Sequence, residues 1–346
     1  MVPLQHQTLN QHLSKYTICF NVLKLTNQTI FKAYRPMPPK LLTLNLLEDL
    51  VHTAELNKEG KTADYIPELA NVNHELTAIA VQPLNEKPLA YSNNPLPPVT
   101  LQSTAKMIPL IGLLEEFGDE QLFEWVKVEP SGDDFASITR LERFGPKPSN
   151  PMLNAGAITL CSRIPGTGEQ QFRWLEHWVQ KLFNQRLSIN PLVFASEKRT
   201  GDRNRSLAYL LKSRNNLGTD VHETLDLYFA LCSYEAMLEQ MLFLPTLLAN
   251  GGLAPDSGER ILSTETCKIT LAIMATCGLY DETGTHMVKT GMPAKSGVSG
   301  YTIAVVPGKA GIVVLSPRVN AKGNSIRGEI MLEGLSKAMN WHFALP

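Results

Sequence analysis

The stretch Pro97-Pro98-Val99-Thr100-Leu101-Gln102-Ser103-Thr104-Ala105-Lys106 marks the point where an extended segment turns into a helix. Two prolines and a β-branched pair favour extended backbone at its start. The apolar run Met107-Ile108-Pro109-Leu110-Ile111-Gly112-Leu113-Leu114, closed by Glu115, Glu116 and Asp119, reads as a helix sunk into a core. A serine in the first turn of such a helix sits among backbone N–H groups without intrahelical partners, at the positive end of the helix dipole. Lys106, three residues on, lies one turn away on the same face. This spacing sets a hydroxyl beside an amine, the pair that Ser–Lys nucleophilic catalysis needs. Ser-x-x-Lys fixes only two positions, however, and a capped helix with a solvated lysine has the same pattern.

Upstream, Leu42, Leu46, Leu47, Leu50 and Val51 recur at helical spacing between Leu41 and Leu56, predicting an amphipathic helix. Thr77–Leu84 and Pro88–Tyr91 read as strands joined by the turn Asn85-Glu86-Lys87. Downstream, helices are predicted over Gln170–Phe183, Asn204–Lys212, Val221–Leu231 and Glu235–Ala249, the last stopped by Asn250-Gly251-Gly252. Ser263 caps a further helix running to about Cys277. The pattern then turns to β. Tyr301–Val306 and Ile312–Ser316 are almost unbroken apolar runs around Pro307-Gly308-Lys309-Ala310-Gly311, hence a hairpin central in a sheet covered on both faces. A last helix spans Gly328 to Met339.

Early and late strands flanking a helical middle give an α+β fold: an antiparallel sheet flanked by N- and C-terminal helices, with an all-helical lobe inserted. The α/β lobe takes about 41–118 and 285–346 and the helical lobe about 119–284. The cleft between them, with the serine helix at its floor, is the natural ligand site. Residues 1–36 contain no Asp or Glu and carry Lys15, Lys24, Lys32 and Arg35. They read as a leader, disordered or ahead of an alternative start at Met37, before a single catalytic domain over 37–346.

Of the 346 residues 43% are hydrophobic, enough for a sizeable core, and a formal net charge of −1 gives no general pull toward nucleic acid or an anionic membrane. No apolar run approaches the ~18 residues of a membrane span. Cys19, Cys161, Cys232, Cys267 and Cys277 are odd in number and scattered, which fits buried thiols in a reducing, cytoplasmic setting better than a disulfide framework or a zinc site. The histidines are dispersed without metal-ligand spacing.

Further stretches are dense in polar residues that a core does not need: Ala63-Asp64-Tyr65-Ile66-Pro67-Glu68-Leu69-Ala70, Asn150-Pro151-Met152-Leu153-Asn154-Ala155-Gly156, the run Ser196 to Arg205, Asp226-Leu227-Tyr228, and Cys277-Gly278-Leu279-Tyr280-Asp281 continuing to Lys295-Ser296-Gly297-Val298-Ser299-Gly300. With Gln102-Ser103 this ordered set resembles the serine-dependent glutaminase family, which shares the fold of serine β-lactamases and penicillin-binding proteins. The likeness runs from about Leu41 to about His342. It implies Ser103 as nucleophile, Lys106 as its base, and Tyr228 and Tyr280 near the reacting amide. Lys295 would close the site opposite and, as a second cation, lower the Lys106 pKa. The N–H groups of Ser103 and Val298 would form an oxyanion hole. Asn154, Glu197 and Asn204 would hold the amino-acid end of the substrate, with Tyr65 and Gln102 lining the pocket. The implied activity is hydrolysis of L-glutamine to L-glutamate and ammonia by an amidohydrolase that needs no cofactor and no metal, acting as a homodimer or homotetramer.

Plainer roles exist for each residue. Tyr228 suits a core tyrosine with a partnered hydroxyl, Asn154 a cap or turn, and Glu197 a surface pair with Lys198 or Arg199. The chain also departs from the family pattern. Thr104-Ala105 stands where the family has Ile-Ser, Ser299-Gly300-Tyr301 replaces a glycine run with Tyr301 facing one pocket wall, and Pro109 and Pro245 fall inside expected helices. Two other readings follow: a diverged, non-catalytic amino-acid-binding relative, or another acyl-transfer serine hydrolase of the β-lactamase-like fold.

Overall fold

A computed structural model describes residues 41–131, 138, 141–142 and 145–345; the predicted leader lies outside them. The first helix, α1 (Leu44–Glu55), starts where the Thr43 hydroxyl accepts from Leu46 N and buries Leu47, Leu50, Val51 and Ala54. A short α2 (Pro67–Ala70) precedes β1 (Ala78–Pro83), β2 (Leu89–Ser92) and the two-residue β3 (Val99–Thr100). A 3₁₀ turn over Gln102–Lys106 then runs into α3 (Met107–Trp125), which departs from helical geometry at Gly118. The helical middle comprises α4 (Asn154–Cys161), α5 (Glu169–Phe183), α6 (Pro191–Thr200), α7 (Asp202–Ser213) and α8 (Val221–Ser233), with β4 (Ser188–Ile189) between α5 and α6. After β5 (Tyr234–Ala236) come α9 (Leu238–Met241), α10 (Phe243–Ala249), α11 (Thr264–Cys277) and α12 (Thr283–Thr290). The chain closes with β6 (Ala294–Ser296), β7 (Tyr301–Val306), β8 (Ala310–Leu315) and α13 (Ile326–Met339).

The main sheet has the order β2-β1-β8-β7-β6, all antiparallel, so strands from both chain ends interleave and the hairpin β7–β8 is interior. Alternation along these strands feeds two cores. Ile79, Val81, Ala304, Ile312 and Val314 meet Leu47 and Leu50 of α1 and Met331 and Leu335 of α13. Ala78, Ala80, Ile303, Val305, Val313 and Leu315 meet the helices of the other side, Ile108 and Ile111 of α3 among them. Covered on both faces, β7 and β8 take apolar residues at nearly every position, Thr302 being the polar exception, which is why they read as almost unbroken hydrophobic runs.

Three expectations change. Glu235–Ala249 is not one helix: Tyr234–Ala236 pairs with Val99–Thr100 and Ser188–Ile189 in a second, three-stranded sheet, and two short helices follow. Pro245 is the third residue of α10 and Pro109 the third of α3, so each falls in a first turn where the missing N–H has no intrahelical acceptor to lose. Tyr301 does not face the pocket. It is fully buried in the core on the α3 side of the sheet, and its hydroxyl donates to Ala236 O at 2.9 Å. No helix among the described residues is long and apolar enough to cross a membrane.

Candidate active site

The 3₁₀ turn is anchored at Leu101, whose N–H donates to Tyr234 O at 2.7 Å, tying it to the small sheet. Gln102 follows with φ +48°, a left-handed conformation that non-glycine residues seldom adopt. Ser103, next in the turn, lines a cavity of about 380 Å³, in the ~300–1,000 Å³ range of small-molecule sites. Thr104 and Ala105, the departures from the family pattern, point away from it. The Thr104 hydroxyl donates back to Leu101 O at 2.6 Å, and Ala105 is buried in the core.

The cavity is lined by Tyr65, Gln102 and Ser103 on one side, Asn154 and Asn204 at the starts of α4 and α7, Glu197 on α6, Tyr228 on α8, and Val298 in the turn between β6 and β7. Thr200, Gly201, Arg203 and Cys232 line it too. The sequence reading assigned these four no role, although Cys232 stands one turn beyond Tyr228 on the same helix face, a spacing that could have signalled it. Lys106, Lys295 and Tyr280 are not among its lining residues; Lys106 is joined to it through Asn154.

Lys106 is fully buried, and its Nζ donates to Met152 O at 3.1 Å and Asn154 Oδ1 at 2.7 Å. Asn154 Nδ2 in turn donates to Asn204 Oδ1 at 2.9 Å, so one amide joins the amine to the far wall. Burial pulls the Lys106 pKa down to about 8. The sequence reading assigned that shift to a second cation, but the burden falls the other way: Lys295 lies well below its ordinary value through burial first and the charge of Lys106 second. Two acceptors satisfy the two N–H bonds of a neutral amine and leave its lone pair for a proton. Lys295, also fully buried, donates to Ser296 O at 2.6 Å, and its Nζ lies over the Tyr280 ring, 4.7 Å from the centroid.

Glu197 is 6% exposed, and its Oε1 lies 2.8 Å from the Tyr65 hydroxyl, which is also 3.0 Å from Gln102 Oε1. Burial raises the carboxyl above its usual range, while hydrogen bonds from Tyr65 and Gln102 hold it down. The Tyr65 ring is 46% exposed with its hydroxyl turned inward, so it forms a wall open to solvent. Burial raises the Tyr228 phenol far above its ordinary value and keeps it a neutral donor. Opposite Ser103, Gly297 packs tightly: a Cβ there would lie 2.8 Å from Leu101 O and 3.4 Å from Ser103 N. Gly297 N donates to Tyr301 O at 2.8 Å and Gly300 N to Gly297 O at 3.0 Å, a tight turn that presents Val298.

The family model for glutaminase matches residues 60–343. The chain belongs to the glutaminase family. A glutaminase of Legionella pneumophila subsp. pneumophila (strain Philadelphia 1) is 91% identical over 310 residues, covering 90% of this chain and 100% of its own length. A glutaminase of Clostridium tetani is 42% identical over 286 residues, 82% of this chain and 93% of the relative. Among solved structures, the probable glutaminase ybaS superposes with a TM-score of 0.82 at 33% identity, over 88% of this chain and 99% of that one. The probable glutaminase from Bacillus subtilis complexed with 6-diazo-5-oxo-L-norleucine gives 0.80 at 31% identity, over 89% and 98%. The α+β architecture, with its sheet of terminal strands and helical middle, is thus the β-lactamase-like fold of the glutaminases.

Proposed function

We propose that the protein hydrolyses L-glutamine to L-glutamate and ammonia through an ester on Ser103. The carrying observation is that Ser103 shares one cavity with a buried carboxylate, Glu197, and two amides, Asn154 and Asn204, while a lysine brought down to about 8 lies one turn behind it. Glu197 suits an α-ammonium and the amides an α-carboxylate, which leaves the side-chain amide of glutamine to reach Ser103. Ser103 Oγ attacks that carbonyl carbon and Lys106 takes the hydroxyl proton. The N–H groups of Ser103 and Val298 receive the oxyanion. Collapse breaks the C–N bond, and ammonia leaves with a proton relayed from Lys106 through Tyr228 or Tyr280. Water then attacks the γ-glutamyl ester by the same base and frees glutamate.

Ser103→Ala is expected to lower kcat for ammonia release by at least ~10³, the usual cost of removing a nucleophile. Persistent turnover in a clean preparation would reject the assignment. Tight glutamine binding with no turnover by the unaltered protein would instead favour a non-catalytic relative. We also infer a cytoplasmic location, since Cys161, Cys232, Cys267 and Cys277 are buried free thiols suited to a reducing compartment. Assembly as a homodimer or homotetramer follows from the resemblance and is read by sedimentation.

A further inference from the structure

Tyr280 is one of the two phenols offered above for the proton relay, and its backbone conformation is one that needs support. Tyr280 has φ +56°, and a bulky residue in the left-handed region is strained and persists only where its surroundings over-determine it. Of the five non-glycine residues with positive φ among the described residues, three are asparagines, which tolerate the conformation; the other two are Gln102, which lines the cavity, and Tyr280.

Thr283 ties the turn locally, its hydroxyl donating to Tyr280 O at 3.0 Å and accepting from Leu279 N at 2.9 Å; what fastens the turn to the rest of the fold comes from the loop between β8 and α13. Asn324 is 1% exposed, and its side chain is fully used. Its Oδ1 accepts from Ser296 Oγ at 2.6 Å, on the strand that carries Lys295. Its Nδ2 donates to Leu279 O at 3.2 Å and to Glu282 Oε2 at 2.5 Å, the residue before Tyr280 and the residue two after it. The amide orientation is set by its partners, because the reverse would turn its oxygen on a carbonyl and a carboxylate. Glu282 also accepts from Asn320 Nδ2 at 2.9 Å, and Asn320 Oδ1 accepts from Asn324 N at 3.1 Å. Beside it Gly323 has φ +88°, and a Cβ there would come within 2.9 Å of Val298 Cγ1 and 3.6 Å of Tyr280 Cε2. The loop therefore touches the turn bearing Tyr280, the strand bearing Lys295 and the residue assigned to the oxyanion hole.

We propose that Asn324 is a positioning residue: its amide brackets Tyr280 and fastens that turn to β6, fixing the phenol against Lys295 for the reaction. The inference rests on the glutamine-hydrolysis reading, and its test carries one arm that does not. In Asn324→Ala, amide hydrogen exchange over 278–284 in the full-length protein speeds up by ~10-fold or more, while β7 and β8 stay protected. In parallel, kcat for glutamine falls by at least ~10-fold, with KM changing less. Asn324→Asp, nearly isosteric, sets its carboxylate against Glu282 and Leu279 O and produces the same loss. Adding Glu282→Gln supplies a donor and recovers part of both readouts. Unchanged exchange over 278–284 overturns the clamp. Faster exchange with unchanged kcat overturns its role in the reaction. If the unaltered protein released no ammonia from glutamine, the functional reading would fail, and the exchange arm would still decide whether Asn324 holds the turn.

Discussion

As the proposed base, Lys106 would have to be buried and basic at once, and burial itself reconciles the two. An amine at its ordinary 10.5 would be charged at neutral pH and unable to accept the Ser103 proton; removed from water, it drops to about 8. Only the neutral form is a base, so kcat/KM should climb with pH through about 8 as Lys106 loses its proton, and a flat profile across ~7–9 would contradict the assignment. The linkage has a definite sign. Between about 8 and 10.5 the unfolded chain binds a proton that the folded one does not, so the penalty for burying Lys106 is complete below about 8 and is relieved as pH rises through that window. Glu197→Gln keeps the shape and removes the charge offered to an α-ammonium. We expect KM for glutamine to rise ~10–100-fold, the value of one charged hydrogen bond, with kcat less affected. At this scale the sequence was legible where a residue sits inside a motif, as Ser103, Asn154 and Glu197 do. It was silent on Asn324, whose partners Ser296, Leu279 and Glu282 lie 28 to 45 positions away and meet it only through the fold.

Elements set what those residues can do by how closely their backbones approach. The 3₁₀ turn and the β6–β7 turn meet at Gly297, where a methyl group would press on Leu101 O at 2.8 Å, a backbone atom that cannot rotate away. Gly297→Ala should therefore lower stability by ~1–3 kcal/mol, as overpacking does. Because the strain is released by moving Ser103 against Val298, kcat should fall by ~10²-fold, read from steady-state kinetics beside a thermal melt. The prolines are the contrary case. Pro109 opens α3 from its third position but is buried there, so Pro109→Ala should lower stability by ~1–2 kcal/mol, through the ring carbons it deletes and the freer unfolded chain, with no helix hydrogen bond to recover. The helix expected over Glu235–Ala249 went wrong for a related reason. Spacing alone cannot separate a short apolar strand from a helical turn. The three residues Tyr234–Ala236 become a strand because Val99–Thr100 and Ser188–Ile189 are there to pair with them.

Over the whole molecule, the sheet was readable because both of its faces are covered, which forces β7 and β8 into almost unbroken apolar runs however distant their neighbours. Which face each residue takes was not readable, since a continuous run carries no alternation, and that is where Tyr301 misled. Paired with Leu315, its side chain enters the core shared with α3 and α8, and its hydroxyl reaches Ala236 O. The residue that looked like a pocket wall instead joins the large sheet to the small one, and the small sheet holds Leu101 just ahead of the turn that carries Ser103. Tyr301→Phe keeps the ring and removes one bond to a carbonyl that stays paired in the small sheet, so it should lower stability by ~0.5–1.5 kcal/mol, measured by denaturant unfolding. Tyr301→Ala should cost ~3–5 kcal/mol through the cavity it leaves. In Tyr301→Phe, kcat and KM for glutamine should match the unaltered protein, because the hydroxyl touches no group that lines the cavity. A changed KM with unchanged stability would return Tyr301 to the pocket and reverse the face assigned to the start of β7.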